Sequence, residues 1–215
     1  MTQLQIALDD PRRTIPEAVA FVRNGLIEQA DILELGTPMF YRWGLEGLRQ
    51  LRYAFPDAVL LADLKLVDGA ARLIPMAAEA GADMITVSGC TSEAMFRLAV
   101  KTAHACNVKV LAEAANVNDL SAMLALCRET GTDAVCYGPE PKEDGTYSDF
   151  GLRKILKEKC EVQLAYAGGV SPENAKTVIR TYHPEILIAA RGIEQAEDPR
   201  KAAEAIRNAI RSAEQ

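Results

Sequence analysis

Two histidines and five cysteines are all that 215 residues offer to a soft metal or a covalent staple. The cysteines, Cys90, Cys106, Cys127, Cys136 and Cys160, are odd in number and far apart, with no C-x-x-C pair. Neither a disulfide framework nor a zinc site is expected; reduced thiols in a cytoplasmic protein are. His104 stands two residues before Cys106, and on a helix i and i+2 point apart. No apolar run approaches the roughly 18 residues of a membrane span. Met1-Thr2-Gln3-Leu4 opens neither a charged n-region nor a long apolar stretch, so no signal peptide is expected. A basic surplus is also missing: 24 Lys and Arg stand against 30 Asp and Glu, a net charge of −6. That excludes a nonspecific grip on nucleic acid, but not a small anion held by a few local groups. What is present is ordinary for a globular chain, 49% hydrophobic and 25% charged residues. A chain this long buries roughly 70% of its unfolded surface, so one domain over 1–215 needs no staple.

Strand-like and helix-like segments alternate strictly. The apolar runs are 4–8 (LQIAL), 31–35 (DILEL), 58–62 (AVLLA), 83–88 (DMITVS), 108–112 (VKVLA), 133–137 (DAVCY), 162–166 (VQLAY) and 185–190 (EILIAA). Short, near-continuous apolar runs are what parallel strands covered on both faces require. They recur every 23 to 29 residues, the length of one compact βα unit. Between them, Thr14-Ile15-Pro16-Glu17 predicts a capped helix start. Leu48, Leu51 and Phe55 stripe a second helix, and further helices are expected over 71–80, 93–105 and 120–130. Ser171-Pro172-Glu173 and Asp198-Pro199 predict the starts of the last two. Eight such units in about 210 residues predict a small (β/α)₈ TIM barrel. The alternative, a doubly wound open sheet, is disfavoured because no G-x-G-x-x-G follows the first strand. The longest irregular piece, 138–149 (GPEPKEDGTYSD), is polar and follows strand 6, so it reads as an active-site loop.

Barrel chemistry sits at the C-terminal ends of the strands. Asp9, Glu34, Asp63, Lys65 and Glu113 all fall there, and Asp63 and Lys65 alternate on one strand so that both can face the axis. Burying charge costs several kcal/mol unless it is paired or metal-bound. Four carboxylates with one ammonium therefore call for a cation, and all-oxygen ligands point to Mg²⁺. Asp10 reads as a loop residue before Pro11. A second group, Gly168-Gly169 after strand 7 and Arg191-Gly192 after strand 8, suits a phosphate: glycines let backbone N–H groups approach an anion and arginine adds a charged fork. A helix starting at Ser171 would aim its N-terminus at the same ligand. His104, His183 and the scattered methionines read as surface and core residues. Trp43 is expected to pack at the start of the second helix, with the mouth or a subunit contact as alternatives.

Asp63-Leu64-Lys65-Leu66-Val67-Asp68 resembles the D-x-K-x-x-D signature of the orotidine 5′-phosphate decarboxylase suprafamily. With 4–9 (LQIALD), 34–38 (ELGTP), Ala167-Gly168-Gly169 and Ala190-Arg191-Gly192, it is similar to the 3-hexulose-6-phosphate synthase and 3-keto-L-gulonate-6-phosphate decarboxylase branch over nearly the whole chain. The resemblance implies Mg²⁺ and a 1,2-enediolate derived from a keto sugar phosphate. By position it makes Glu34 and Asp63 metal ligands, and makes Lys65 the cation that neutralises an enediolate oxygen or moves a proton. It makes Asp9 a substrate-hydroxyl contact and Asp68 an acid contributed across a homodimer interface. Gly169, Arg191 and Gly192, with Gly168 before them, become the phosphate grip.

Departures divide the branch. The family usually shows a histidine after strand 6, and Gly138 stands in that place, leaving Glu140, Glu143 or Tyr147 of the loop as substitutes. Glu113 matches the decarboxylase, where the synthase usually has Asp. Gly36-Thr37-Pro38, Val67-Asp68-Gly69, the Ala before Gly168-Gly169, and 116–120 (NVNDL) look more like the synthase. The expected function is addition of formaldehyde to ribulose 5-phosphate and its reverse, with decarboxylation of 3-keto-L-gulonate 6-phosphate as the alternative. A barrel that binds a sugar phosphate without turnover is the reading outside enzymes. An epimerase-type site usually needs metal-binding histidines. In orotidine phosphate decarboxylation, Glu34 would repel the substrate carboxylate.

Overall fold

A computed structural model describes residues 1–141, 147–148 and 162–213. Eight parallel strands close into a barrel: β1 (Gln3–Leu8), β2 (Ile32–Leu35), β3 (Val59–Leu66), β4 (Met84–Ser88), β5 (Lys109–Glu113), β6 (Ala134–Tyr137), β9 (Gln163–Tyr166) and β10 (Ile186–Ala189). β10 pairs with β1, so no edge is left open. Between β6 and β9, β7 (Glu140–Pro141) and β8 (Tyr147–Ser148) form a small antiparallel pair. The described helices are α1 (Ile15–Arg23), α2 (Thr37–Ala54), α3 (Ala70–Glu79), α4 (Glu93–Ala105), α5 (Leu120–Thr130), α6 (Ala175–Tyr182), α7 (Arg191–Glu194) and α8 (Pro199–Ala213).

The period of two along each strand sorts the side chains. Leu4, Ile6 and Leu8 of β1 point out and join the large core under the helices, as do Leu33 and Leu35 of β2. Ala7, Ile32, Leu61, Met84, Leu111, Ala134, Ala165 and Ile186 point in and fill the barrel. The same inward register, carried one step further up the first five strands, ends in Asp9, Glu34, Asp63, Thr86 and Glu113, whereas above β9 and β10 it continues into Ala167 and Ala190. The apolar filling thus holds the lower barrel rigid and hands the upper layer to the chemistry.

Local signals account for most boundaries. Thr14 and Glu17 form the capping box that opens α1, and α8 starts at Pro199 as expected. Two boundaries differ. β3 runs to Leu66, beyond the predicted 62, because pairing with β4 resumes after a shift in register: Ala62 faces Ile85 and Leu66 faces Val87. Asp63, Leu64 and Lys65 thus stand opposite Thr86 alone, and Lys65 takes a left-handed φ of 41°. α6 starts at Ala175, not at Ser171. Asn174 accepts from the Ser171 N–H at 2.9 Å and donates to Gly169 O at 2.7 Å, closing a turn where the first helical turn was expected.

Candidate active site

The C-terminal mouth opens into a cavity of about 430 Å³. Asp9, Glu34, Asp63, Lys65 and Glu113 line one side of it, and Gly168, Gly169, Arg191 and Gly192 the other. Nine of the ten residues singled out from the sequence therefore share one cavity. Asp68 does not: it is exposed, and its carboxylate accepts from its neighbour Gly69 N–H at 2.6 Å.

Asp63 is the most constrained member, 4% exposed. Thr86 Oγ1 donates to its Oδ1 at 2.6 Å, and Thr37 donates to Oδ2 through its N–H at 3.2 Å and through its hydroxyl. Thr86 Oγ1 also accepts the Lys65 N–H at 2.8 Å. One buried hydroxyl thereby ties the irregular turn of β3 to the carboxylate that turn presents. Lys65 Nζ lies 3.1 Å from Asp63 and 3.4 Å from Glu113. Burial pulls the Lys65 ammonium down, but Glu113 and Asp63 outweigh it and hold the pKa above the ordinary lysine value.

The carboxylates feel the opposite balance. Burial pushes Glu34 well up, and Asp63 and Asp9 push the same way. Glu113 is raised by burial, against the pull of Lys65. Asp9 is raised by burial and by Asp63, against Lys65 and Arg191. The ammonium of Lys65 does not balance its neighbours, and added positive charge would relieve them.

The donor set fits a hard divalent cation. Glu34 and Asp63 are buried, face one cavity and offer oxygens alone. Among the described residues no three His, Cys, Asp or Glu side chains group closely enough to cage a metal. Two buried carboxylates, Glu34 and Asp63, are a donor set that Mg²⁺ accepts, since it usually keeps several waters and takes one or two carboxylates plus substrate oxygens.

Across the cavity, Gly168 and Gly169 take φ values of 125° and 65°, open to glycine and strained for other residues. Arg191 and Gly192 begin α7 rather than end β10. Glu194, at the other end of that short helix, accepts from the Asp9 N–H at 3.1 Å and from Arg13 at 2.6 Å, so the two sides of the mouth are joined. The expected helix end at Ser171 is not part of the cavity lining, since α6 starts later.

Gly138 is more than a missing histidine. A Cβ there would overlap the carbonyl oxygen of Ala167, so this backbone admits no side chain. Half of the loop expected to supply a substitute, 142–146 with Glu143 and residue 149, lies outside the described residues, as does Cys160. His104, His183 and Trp43 stay away from the cavity. Trp43 donates to Arg13 O at 3.1 Å, and His183 caps α6. The residues that the sequence did not single out are Gln5, Thr37, Thr86, Cys136 and Glu194. Alternation could have found three of them, since Gln5, Thr86 and Cys136 sit at inward positions inside runs that otherwise read as apolar strand; Thr37 and Glu194 lie on helices, where that signal is silent.

The sequence profile of the orotidine 5′-phosphate decarboxylase / HUMPS family matches residues 2–206. The chain belongs to that family. It is 34% identical over 211 residues to the 3-hexulose-6-phosphate synthase of Bacillus subtilis (strain 168), covering 97% of this chain and 98% of that one. The fold superposes on the 3-hexulose-6-phosphate synthase from Salmonella typhimurium with a TM-score of 0.90 at 28% identity, covering 99% of this chain and all of the other. It superposes on 3-keto-L-gulonate-6-phosphate decarboxylase from Vibrio cholerae O1 biovar El Tor with a TM-score of 0.84, also at 28% identity, covering 98% of each. Family membership and full-length synthase relatives make the chain an enzyme, a carbon–carbon lyase.

Proposed function

We propose that the chain is an Mg²⁺-dependent lyase acting on a keto sugar phosphate through a 1,2-enediolate, of the 3-hexulose-6-phosphate synthase type. It adds formaldehyde to ribulose 5-phosphate and runs the reverse reaction. The observation that carries this reading is the cavity itself: Glu34, Asp63 and Lys65 on one wall face Gly168, Gly169, Arg191 and Gly192 on the other. Such a span suits a ligand with a phosphate at one end and the reacting carbons at the other.

The parts divide as follows. Arg191 and the backbone N–H groups around Gly169 and Gly192 hold the phosphate, fixing the far end in place. Glu34 and Asp63 hold Mg²⁺, which when bound supplies positive charge where an enediolate develops negative charge. Lys65, kept protonated by Glu113 and Asp63, puts its ammonium beside the same oxygens, where preorganised charge is worth most. Asp9 contacts a substrate hydroxyl. Glu113, its carboxyl raised by burial, is the group that can move a proton alongside Lys65.

The decarboxylase reading, in which loss of CO₂ forms the same type of enediolate, is favoured by one observation: Glu113 rather than Asp ends β5. Asp68 stands outside the cavity of its own chain, which supports a homodimer in which it reaches the partner's site. Exposed Val67, Leu73 and Met76 lie on the adjoining segment. Among the described residues no helix is long and apolar enough to cross a membrane. None of the described cysteines forms a disulfide.

The test offers the protein, with Mg²⁺, ribulose 5-phosphate plus formaldehyde and separately 3-keto-L-gulonate 6-phosphate. Turnover of the first, abolished by EDTA and by Lys65→Ala, is expected; consumption of neither would overturn the lyase reading. Mixing Lys65→Ala and Asp68→Ala proteins should restore activity if Asp68 acts across the interface, and no recovery would remove that role.

A further inference from the structure

Gln5 is wholly buried on β1, on the inward register that continues through Ala7 to Asp9. Its Nε2 donates to Glu34 Oε2 at 2.6 Å. Its Oε1 is, among the described residues, the one buried side-chain nitrogen or oxygen with no hydrogen-bond partner. With Glu34 ionised, as a bound cation would keep it, the amide cannot turn round to mend this, because the carboxylate only accepts and needs the N–H facing it. A bare buried carbonyl oxygen costs stability, whereas an apolar side chain of the same shape would avoid the penalty. Yet Gln5 lines the same cavity as Glu34 and Asp63, at its floor beside Ala7, Leu111 and Cys136. A polar atom left bare inside an otherwise well-paired interior points to a ligand, one that brings a hydrogen to the floor of the cavity.

A magnesium ion brings such hydrogens. It sheds its waters reluctantly and usually keeps several when only one or two carboxylates hold it. Groups that hydrogen-bond the ligands and waters of a bound metal orient them, and their removal costs affinity. Resting on the cation reading above, we propose that Gln5 is the positioning residue of the Mg²⁺ site. Its amide N–H holds Glu34 by Oε2, leaving Oε1 for the cation, and its amide oxygen accepts from a water of the cation's shell.

The test uses Mn²⁺ as a paramagnetic stand-in, with binding read by electron paramagnetic resonance on the wild type, Gln5→Met and Gln5→Asn. Met keeps the length and loses the amide; Asn keeps the amide and loses the reach. Mn²⁺ binding should weaken about 10–100-fold in the Met variant. The Mg²⁺ concentration for half-maximal turnover should rise by a similar factor, with kcat at saturating Mg²⁺ recovering to within about threefold of wild type. If Gln5→Met does not fold by circular dichroism, Gln5→Asn is held to the same expectations. A folded variant that binds Mn²⁺ within about twofold of wild type overturns the role of Gln5, as does a loss of kcat that Mg²⁺ does not restore. A wild type that binds no Mn²⁺ overturns the cation site itself, which is a different result.

Discussion

The two rims of the barrel use the same residue type in opposite ways. At the lower rim a carboxylate at the start of every second strand accepts the backbone N–H of the strand before it. Asp31 takes Leu4 N–H at 2.7 Å, Asp83 takes Leu60 at 2.8 Å, Asp133 takes Val110 at 2.9 Å and Glu185 takes Leu164 at 2.7 Å. Three of the four also meet a basic side chain: Arg207 at Asp31, Arg52 at Asp83 and His104 at Asp133. At the upper rim Asp9, Glu34, Asp63 and Glu113 crowd one ammonium. Below, each acid closes an open hydrogen-bond donor. Above, burial and mutual repulsion raise Glu34, Glu113 and Asp9. Satisfied acids stabilise a fold; acids held in each other's company cost stability and are poised for a ligand.

The largest effect that separates the rims is on turnover. Lys65→Ala removes the cation that Glu113 and Asp63 share. We expect kcat/KM to fall by about 10³-fold or more, while the far-ultraviolet circular dichroism stays native. A fall below about tenfold would mean that the upper rim is no more chemical than the lower.

Next comes stability. Asp31→Ala strands the Leu4 N–H, on a residue with no exposure, and takes the carboxylate from an Arg207 side chain only 10% exposed. The cost should be about 2–4 kcal/mol, a Tm loss of roughly 5–15 °C, with kcat unchanged in the folded fraction. Loss of activity without loss of Tm would erase the contrast between the rims.

The lower rim was legible in principle. Asp31, Asp83, Asp133 and Glu185 open predicted strands and recur roughly 50 residues apart, one acid for each pair of βα units. The upper rim was legible residue by residue, because a strict alternation of strand and helix puts the end of every strand at one mouth. Out of reach was what depends on contacts between strands. The three residues of β3 facing Thr86, the hydroxyl that ties Lys65 to Asp63, and the pairing of Gln5 with Glu34 link segments far apart in the chain. The late start of α6 was hidden for a different reason. Ser171-Pro172-Glu173 carries the residue types of a helix start, and the Asn174 side chain won the competition for the backbone.

A third prediction is a slope. Glu34, Glu113 and Asp9 bind protons more tightly in the folded chain than in the unfolded one. The stability this confers is fully present below the ordinary carboxylate range and is lost as pH climbs through the raised values. Without divalent cation, Tm should therefore fall as pH rises from about 4.5 towards neutrality. Saturating Mg²⁺ should flatten the fall, since it binds the deprotonated form. Glu34→Gln should flatten it as well, and Asp31→Ala should leave it in place. A Tm that rises through this range without cation would reverse the sign assigned to the upper rim.

The smallest effect bears on why the lower rim is stable. The His104 and Asp133 side chains are 41% and 28% exposed and lie 3.0 Å apart. Exposed pairs contribute about 0–1 kcal/mol. Asp133 keeps its bond from the Val110 N–H when the imidazole goes, so no buried donor is stranded. His104→Ala should shift Tm by less than about 3 °C, well under the loss at Asp31→Ala. If the two losses were equal, the basic partner rather than the backbone N–H would hold the lower rim together. The rims would then differ only in how many cations each has been given.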